Sequence, residues 1–446
     1  MVWVMMMPGL ASGGQRSAPR ARPAPRRGGA PTPSCLSSLQ PSLRFGVIYL
    51  DNNATTMPSA KCRDAMIRAV DELWHNTSSM YRPGQAARRA VELARASIAR
   101  LINAQPKELV FCGCGTCSIH TAMNGVIYTH RQVENPNIVT THIEHPAVRY
   151  LAKQASERLG VETRWLPTLP GGRVDPGALA KLVDERTILV SVQWANNETG
   201  VIHPVAEIGK FCRQRGVTFH VDGVQWVGKM PTSVGTGGGE RCPAHDDEAG
   251  QWIDMLSFSA HKFHGPKGIG VLWIRKGTRF APSSPGTQEL GRRGGTENVP
   301  GILGMGAASE EALDFLNDPQ KRRTMAAHRD RFERRVLELV PEARVNGPAD
   351  PAHRVWNTTS IAFPRLEAEV ILLMLSERGI CASAGSACSS GSLDPSPVLL
   401  AMGIPEALAH GSIRFSLCRD TDPGCLEEAA QGVAACVRQL SGAVPV

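Results

Sequence analysis

The chain has 446 residues, 42% of them hydrophobic and 20% charged, with a formal net charge of +8. That length suits two or three domains around a sizeable core, and with no apolar run of membrane-spanning length the chain is expected to be soluble, with no membrane partner. Six arginines and no acid fall in residues 1–46, so the remainder carries only +2 and no nucleic-acid-binding face is expected.

Residues 1–46, rich in Pro, Ala, Ser and Gly, are expected to form a disordered leader. The arginines suit an organellar transit peptide, but seven prolines oppose the amphipathic helix such peptides form. An inert extension, or a start codon chosen upstream of Val47, accounts for the composition as well. Ala86–Leu101 carries an apolar stripe at helical spacing. The strand-like Glu108–Phe111 leads into Cys112-Gly-Cys-Gly-Thr-Cys-Ser-Ile-His120. Its glycines and Thr116 suit a phosphate-cradling turn at a helix N-terminus. Cys112, Cys114 and Cys117 could instead hold zinc or a cluster with His120 as fourth ligand. The phosphate turn is the stronger reading, and no metal site is expected.

Thr187–Val192 reads as a buried strand followed by Trp194-Ala-Asn-Asn-Glu-Thr-Gly200. Val217–Val221 is a second, with Asp222 directly after it and Gln225 three residues on. Ligands of α/β sheets bind outside the carboxyl ends of the strands. An acid there can keep a pyridine nitrogen protonated, or it can simply cap a helix; spacing alone leaves both open. Pro231–Gly250 is expected to be an inserted surface loop. His245, Asp246 and Asp247 could bind a metal there, but a solvated loop is the simpler reading.

Met255–Phe258 reads as a buried strand that delivers Ser257–Gly268 to a fixed place. Within that run Lys262 is framed by Ser259, His261 and a glycine-rich turn. Its amine can form a Schiff base with an aldehyde while hydroxyl and imidazole groups reach a phosphate beside it. An ordinary solvated lysine is the plain alternative. Strands and helices alternate up to about Gly306, which predicts a mostly parallel sheet covered by helices. Beyond Glu311, helices mix with strands such as Thr359–Phe363. There Cys388 lies in the small-residue run Ala384–Gly391, which reads as a loop rather than packed core. Such a loop can offer a thiolate, whereas an isolated cysteine is more often a buried hydrophobe.

These runs, with Tyr49-Leu-Asp-Asn-Asn-Ala-Thr-Thr56, Glu144-His145, Gly294–Pro300 and Ser412–Ser416, resemble the pyridoxal-phosphate cysteine desulfurases of the class V aminotransferase group. The resemblance covers about Ile48 to Leu440. Ser389–Ser396 and Ala409–Leu417 are most similar to the nitrogen-fixation and iron–sulfur-assembly branch. It implies an α/β, fold-type-I transferase with a large domain (65–310) on a mostly parallel seven-stranded sheet. A smaller α+β domain (311–446) and an N-terminal segment (47–64) packing against it complete the fold.

The resemblance also implies roles. Lys262 would hold pyridoxal phosphate and shuttle the substrate's α-proton. Asp222 would pair with the pyridine nitrogen, Gln225 with the ring hydroxyl, and Asn197 with that hydroxyl or the substrate carboxylate. His145 would stack on the ring and move protons, a role suited to a near-neutral pKa. Gly115, Thr116, Ser259 and His261 would hold the phosphate, and Thr296 would reach that of a neighbouring subunit in a homodimer. Arg414 would clamp the carboxylate of L-cysteine. Cys388 would take the sulfur as a persulfide, releasing alanine, and pass it to an iron–sulfur scaffold or another acceptor. A persulfide enzyme needs a reducing compartment, here the cytoplasm, and twelve cysteines are not disulfide-scaffold density.

The sequence departs from the family at Cys117 and His120, at His75 and Tyr81, and at Leu290, which puts rate and substrate preference in question. Selenocysteine lyase activity is the alternative within the class, then another class V aminotransferase or lyase. A non-catalytic metal- or partner-binding protein is the alternative outside it.

Overall fold

Five short strands are buried at every position, with both faces covered, and they meet in one sheet. In chain order the strands are β1 (Ile48–Tyr49), β2 (Leu109–Cys112), β3 (Asn137–Thr140), β4 (Glu162–Trp165), β5 (Thr187–Gln193), β6 (Thr218–Asp222), β7 (Met255–Ser259) and β8 (Gly270–Ile274). The later ones are β9 (Arg344–Val345), β10 (Thr358–Ala362), β11 (Ile380–Cys381), β12 (Ser383–Ala384) and β13 (Ser412–Ser416). This computed structural model describes residues 46–238, 242–385 and 394–442. Cys388 and residues 1–45 lie outside that set.

The central sheet has seven strands in the order β2-β8-β7-β6-β5-β3-β4, as expected, and only β8 runs against the others. Helices Gly115–Thr129, Pro146–Leu159 and Val205–Arg215 cover it. The partly exposed β4 closes one edge. Because β5, β6 and β7 run in parallel, their carboxyl ends at Gln193, Asp222 and Ser259 share one edge of the sheet, and whatever follows them is brought together.

A second, antiparallel sheet of order β12-β13-β10-β9 is built from residues 344–416. β1 pairs in parallel with β11, and Asp51 bridges to Ser416, so the N-terminal segment is bonded to this second sheet. Among the described residues no helix is long and apolar enough to cross a membrane.

The described part of Pro231–Gly250 is not a solvated loop. Val234 and Ala244 are fully buried, Val234 N donates to Ile102 O (3.0 Å), and the His245 Nε2 lies 2.7 Å from Arg100 O. Two apolar anchors and a backbone-bonded imidazole pin the segment to the end of helix Arg82–Leu101, which accounts for its packing and leaves His245 committed.

Arg95 lies on that helix, and its guanidinium forms a two-pronged pair with Glu289 (2.9 Å at both contacts). Both side chains are buried, and Glu289 also accepts Phe111 N of β2 (2.9 Å). Deleting one partner leaves an uncompensated buried charge, which costs about 3–5 kcal/mol. Glu289→Ala is therefore expected to lower the unfolding free energy measured in urea by an amount of that order, and the midpoint with it. An unchanged midpoint would show the pair to be dispensable.

Candidate active site

The run after β7 turns sharply, and Lys262 closes the turn Ala260–Lys262. Its ammonium donates to two backbone carbonyls, Asn53 O (2.6 Å) and Ala54 O (2.7 Å). The N-terminal segment therefore forms one wall around the amine. Lys262 is partly accessible, and its charge acts on Asp222, His145, His261 and Lys229. Asp222 ends a sheet strand, and the other three lie in segments that follow one.

Asp222 ends β6 and accepts Val224 N at 2.9 Å. Burial pushes its carboxyl up to about 6, while Val224 N–H and Lys262 hold it back. The folded pKa thus exceeds the ordinary carboxylate value near 4. Protonation favours the fold below that ordinary value, and the benefit is lost as pH rises through 6. Above it the ionised, buried carboxylate costs on the order of 3 kcal/mol in protein without a bound ligand. Asp222→Asn is expected to raise the ligand-free protein's urea stability at pH 8 and to leave it nearly unchanged at pH 4. A gain of equal size at both values would contradict this titration.

His145 caps helix Pro146–Leu159, its Nδ1 accepting Ala147 N at 3.1 Å. Burial first, then the Lys262 and Arg149 charges, push its pKa down to about 4. The near-neutral value expected of it is therefore corrected: at neutral pH it is an uncharged imidazole. His261 is pushed down to about 3 by burial and neighbouring cations, and its Nδ1 lies 3.2 Å from the Thr55 hydroxyl.

Arg414 of β13 reaches the same place from the second sheet. Its Nη1 donates to Asn197 O (3.0 Å) and its Nη2 to Asp51 (2.7 Å). Its Nε is buried without a hydrogen-bond partner, as is Asn197 Oδ1. Buried orphans of this kind cost about 1–3 kcal/mol each unless a ligand satisfies them. A Cβ at Gly115 would come within 2.9 Å of Val224, so the backbone there passes too close for a side chain. Thr116 stands exposed at the first turn of its helix, where N–H groups favour an anion. Ser259 is buried and donates to Ile269 O (3.3 Å). Amine, buried acid, orphaned polar atoms and anion-favouring turn together fit a phosphate-bearing pyridine aldehyde.

The structure thus groups Lys262, Asp222, His145, His261, Asn197 and Arg414. Gln225 is nearby, but its amide is occupied by Asn53 O (3.0 Å) and the Lys229 ammonium (2.6 Å). Thr296 stays outside the group, exposed on its turn. Cys388 lies outside the described residues. His120 is spent on Ala147 O (3.1 Å), and Cys112, Cys114 and Cys117 do not close into a three-ligand cluster among the described residues. Instead Cys112 and Cys117 form a thiol pair, its hydrogen bond lowering Cys117 to about 5 and raising Cys112.

Three participants had no role in the sequence reading. Asn53 accepts from Lys262 and Gln225 at its carbonyl and from Lys229 and Asn357 at its side chain, and donates to Asn197 O and Thr358. Asp51 pairs with Arg414. Lys229 is fully enclosed, and burial holds its pKa well below the lysine range.

Residues 48–424 match the class-V aminotransferase family. The cysteine desulfurase of Trichormus azollae is 43% identical over 402 residues, covering 90% of this chain and 95% of that protein. The cysteine desulfurase NifS of Azotobacter vinelandii is 41% identical over 89% of this chain and 94% of its own. A solved NifS-like protein superposes with a TM-score of 0.77 at 33% identity, covering 90% of this chain and all of that one.

Proposed function

The chain belongs to the class-V aminotransferase family, among the cysteine desulfurases, and from that membership we propose that it removes sulfur from L-cysteine with pyridoxal phosphate. The observation that carries the reading is the meeting of the Lys262 amine, the buried Asp222 carboxyl and the His145 imidazole at one sheet edge, with Arg414 arriving from the second sheet.

Pyridoxal phosphate, when bound, supplies a protonated ring that takes up the electron pair left at the substrate's Cα. Lys262 would hold it through its amine, and Gly115, Thr116, Ser259 and His261 would receive its phosphate. Asp222 would keep the ring nitrogen protonated, and the ion pair so formed would offset the carboxylate's burial. Arg414 would bind the substrate carboxylate through its unsatisfied Nε, with Asp51 holding the guanidinium in plane. Lys262, released from the cofactor, would take the Cα proton, and uncharged His145 is suited to accept one in turn.

The Cys388 thiolate would attack the substrate sulfur. The carbon–sulfur bond breaks, its electron pair stays with the carbon fragment, and that fragment takes up protons and leaves as alanine. Sulfur remains on Cys388 as a persulfide for an iron–sulfur scaffold or other acceptor. A homodimer, with Thr296 reaching the neighbouring subunit's phosphate, and a reducing cytoplasm complete the reading.

The test is an absorbance spectrum of purified protein before and after L-cysteine, with alanine quantified. A visible cofactor band with alanine formed is expected. A band without alanine would move the reading to another amino-acid substrate. No band after added pyridoxal phosphate would sink it.

A further inference from the structure

We propose that His264, Cys418 and Asp420 form a binding site for a thiophilic divalent cation such as zinc, separate from the cofactor's own ligands. One ring nitrogen of His264, the Cys418 sulfur and an Asp420 carboxylate oxygen all lie within 4.8 Å of one another. The His264 Nδ1 is 3.7 Å from Asp420 Oδ2. Thiolate, imidazole and carboxylate are the donor set that zinc accepts at about 2.0–2.3 Å, and three protein ligands leave the fourth position open.

His264 and the turn bearing Cys418 are held before an ion arrives. His264 adopts a left-handed backbone (φ +69°) that bulky residues rarely take. Its N donates to Thr56 Oγ1 (2.6 Å), and its Nδ1 is 3.0 Å from Met57 O. Cys418 and Asp420 share a turn closed by Cys418 N donating to Thr421 Oγ1 (2.8 Å) and Thr421 N to Cys418 O (3.1 Å). The His264 side chain is buried, while that of Asp420 is 67% exposed, so an ion and its water have one open side. Arg419 opposes a cation here, but its Nη2 donates to Glu311 (3.1 Å), which takes up part of that charge.

Neither local spacing nor cysteine density marks this site, because its two halves are 154 positions apart. Its place gives it a consequence. His264 follows Lys262 by two residues, and Cys418 follows β13, which carries Arg414. His264, Cys418, Lys229 and Lys262 line one small cavity. A bound cation would clip the turn bearing the lysine to the strand bearing the arginine.

The test uses the full chain with its cofactor loaded, stripped of metal by a chelator and titrated with cobalt(II). Tetrahedral cobalt absorbs in the red, clear of the cofactor's band, and a thiolate ligand intensifies it. One equivalent per chain is expected, displaced by zinc. Cys418→Ser should abolish the red band, and Asp420→Asn should weaken cobalt affinity about tenfold or more. A Cys112→Ser, Cys117→Ser double variant and Cys388→Ala should keep it. The cofactor band and thermal transition report folding in each. If Cys418→Ser fails to fold, the exposed Asp420→Asn decides alone. Absence of a red band in the parent, an undiminished band in either site variant, or its loss only in the Cys112/Cys117 or Cys388 variants would overturn the site. None of these readouts depends on desulfurase activity.

Discussion

Lys262→Ala protein is expected to form alanine from L-cysteine at least about 10³-fold more slowly than the parent and to lack the visible band of bound cofactor. Two losses act together. The amine that would anchor the cofactor is gone, and so is the base that would move the Cα proton, a contribution of about 10²–10⁴-fold by itself. Lys262→Arg sharpens the test, since it restores a cation that can bond Asn53 O and Ala54 O but not a nucleophilic amine. It should be as inactive as Lys262→Ala while recovering thermal stability. Among the described residues Lys229 is the amine placed to substitute. It is enclosed and held by Asn53 Oδ1 (2.9 Å) and Gln225 Oε1 (2.6 Å), so it is expected not to. Persistence of alanine formation in Lys262→Ala at the parental rate would remove Lys262 from the mechanism. A residual band lost only on further replacing Lys229 would transfer the anchor to that residue.

Cys388→Ala protein is expected to keep the cofactor band and the thermal transition but to lose about two orders of magnitude or more in alanine formation, as removal of a nucleophile does. No persulfide should then be trapped on the chain by alkylation. The described flanks support this site. Ser383 of β12 stands opposite Arg414 in the ladder, and a Cβ at Gly385 would meet Glu198 at 2.5 Å. On the far side Ser396 donates to that same Glu198 (2.5 Å). The described flanks, Ser383–Gly385 and Ser396, are therefore held against Arg414 and Glu198. Cys381→Ala is the control. Cys381 sits in β11, paired with β1, and burial and the Asp51 charge raise its thiol pKa, so it offers little thiolate. Equal rates for Cys388→Ala and the parent would point to a lyase that needs no thiolate. A loss in Cys381→Ala alone would move the nucleophile there.

The strand-end part of the site was legible because its parts are local. An apolar run followed by a turn and a lysine, or by an acid, is a strand end, and parallel strands put such ends on one edge whatever the intervening helices do. That logic placed Lys262, Asp222 and Asn197 together from sequence alone. It could not place the walls. Asn53 was quoted only as part of a motif, yet it bonds Lys262, Gln225 and Lys229, because β1 pairs with β11 and Asp51 bridges to Ser416 of β13, which carries residues 51–54 across the site. Pro231–Gly250 read as a surface loop because glycines and acids dominate it. Val234 and Ala244, single apolar residues with no periodicity, packed it down.

By itself, then, the sequence determined the layered α/β architecture and the chemical types at the strand ends, since both follow from short-range pattern and chain order. The tertiary structure alone decided their protonation and their partners. His145 is uncharged and Asp222 holds its proton up to about 6 because burial removes water from both, and burial is a property of the assembled core. The meeting of His264 with Cys418 and of Arg414 with Asp51 has the same origin. Each joins residues more than 150 positions apart, and only the docking of one sheet's edge against the other's brings them together.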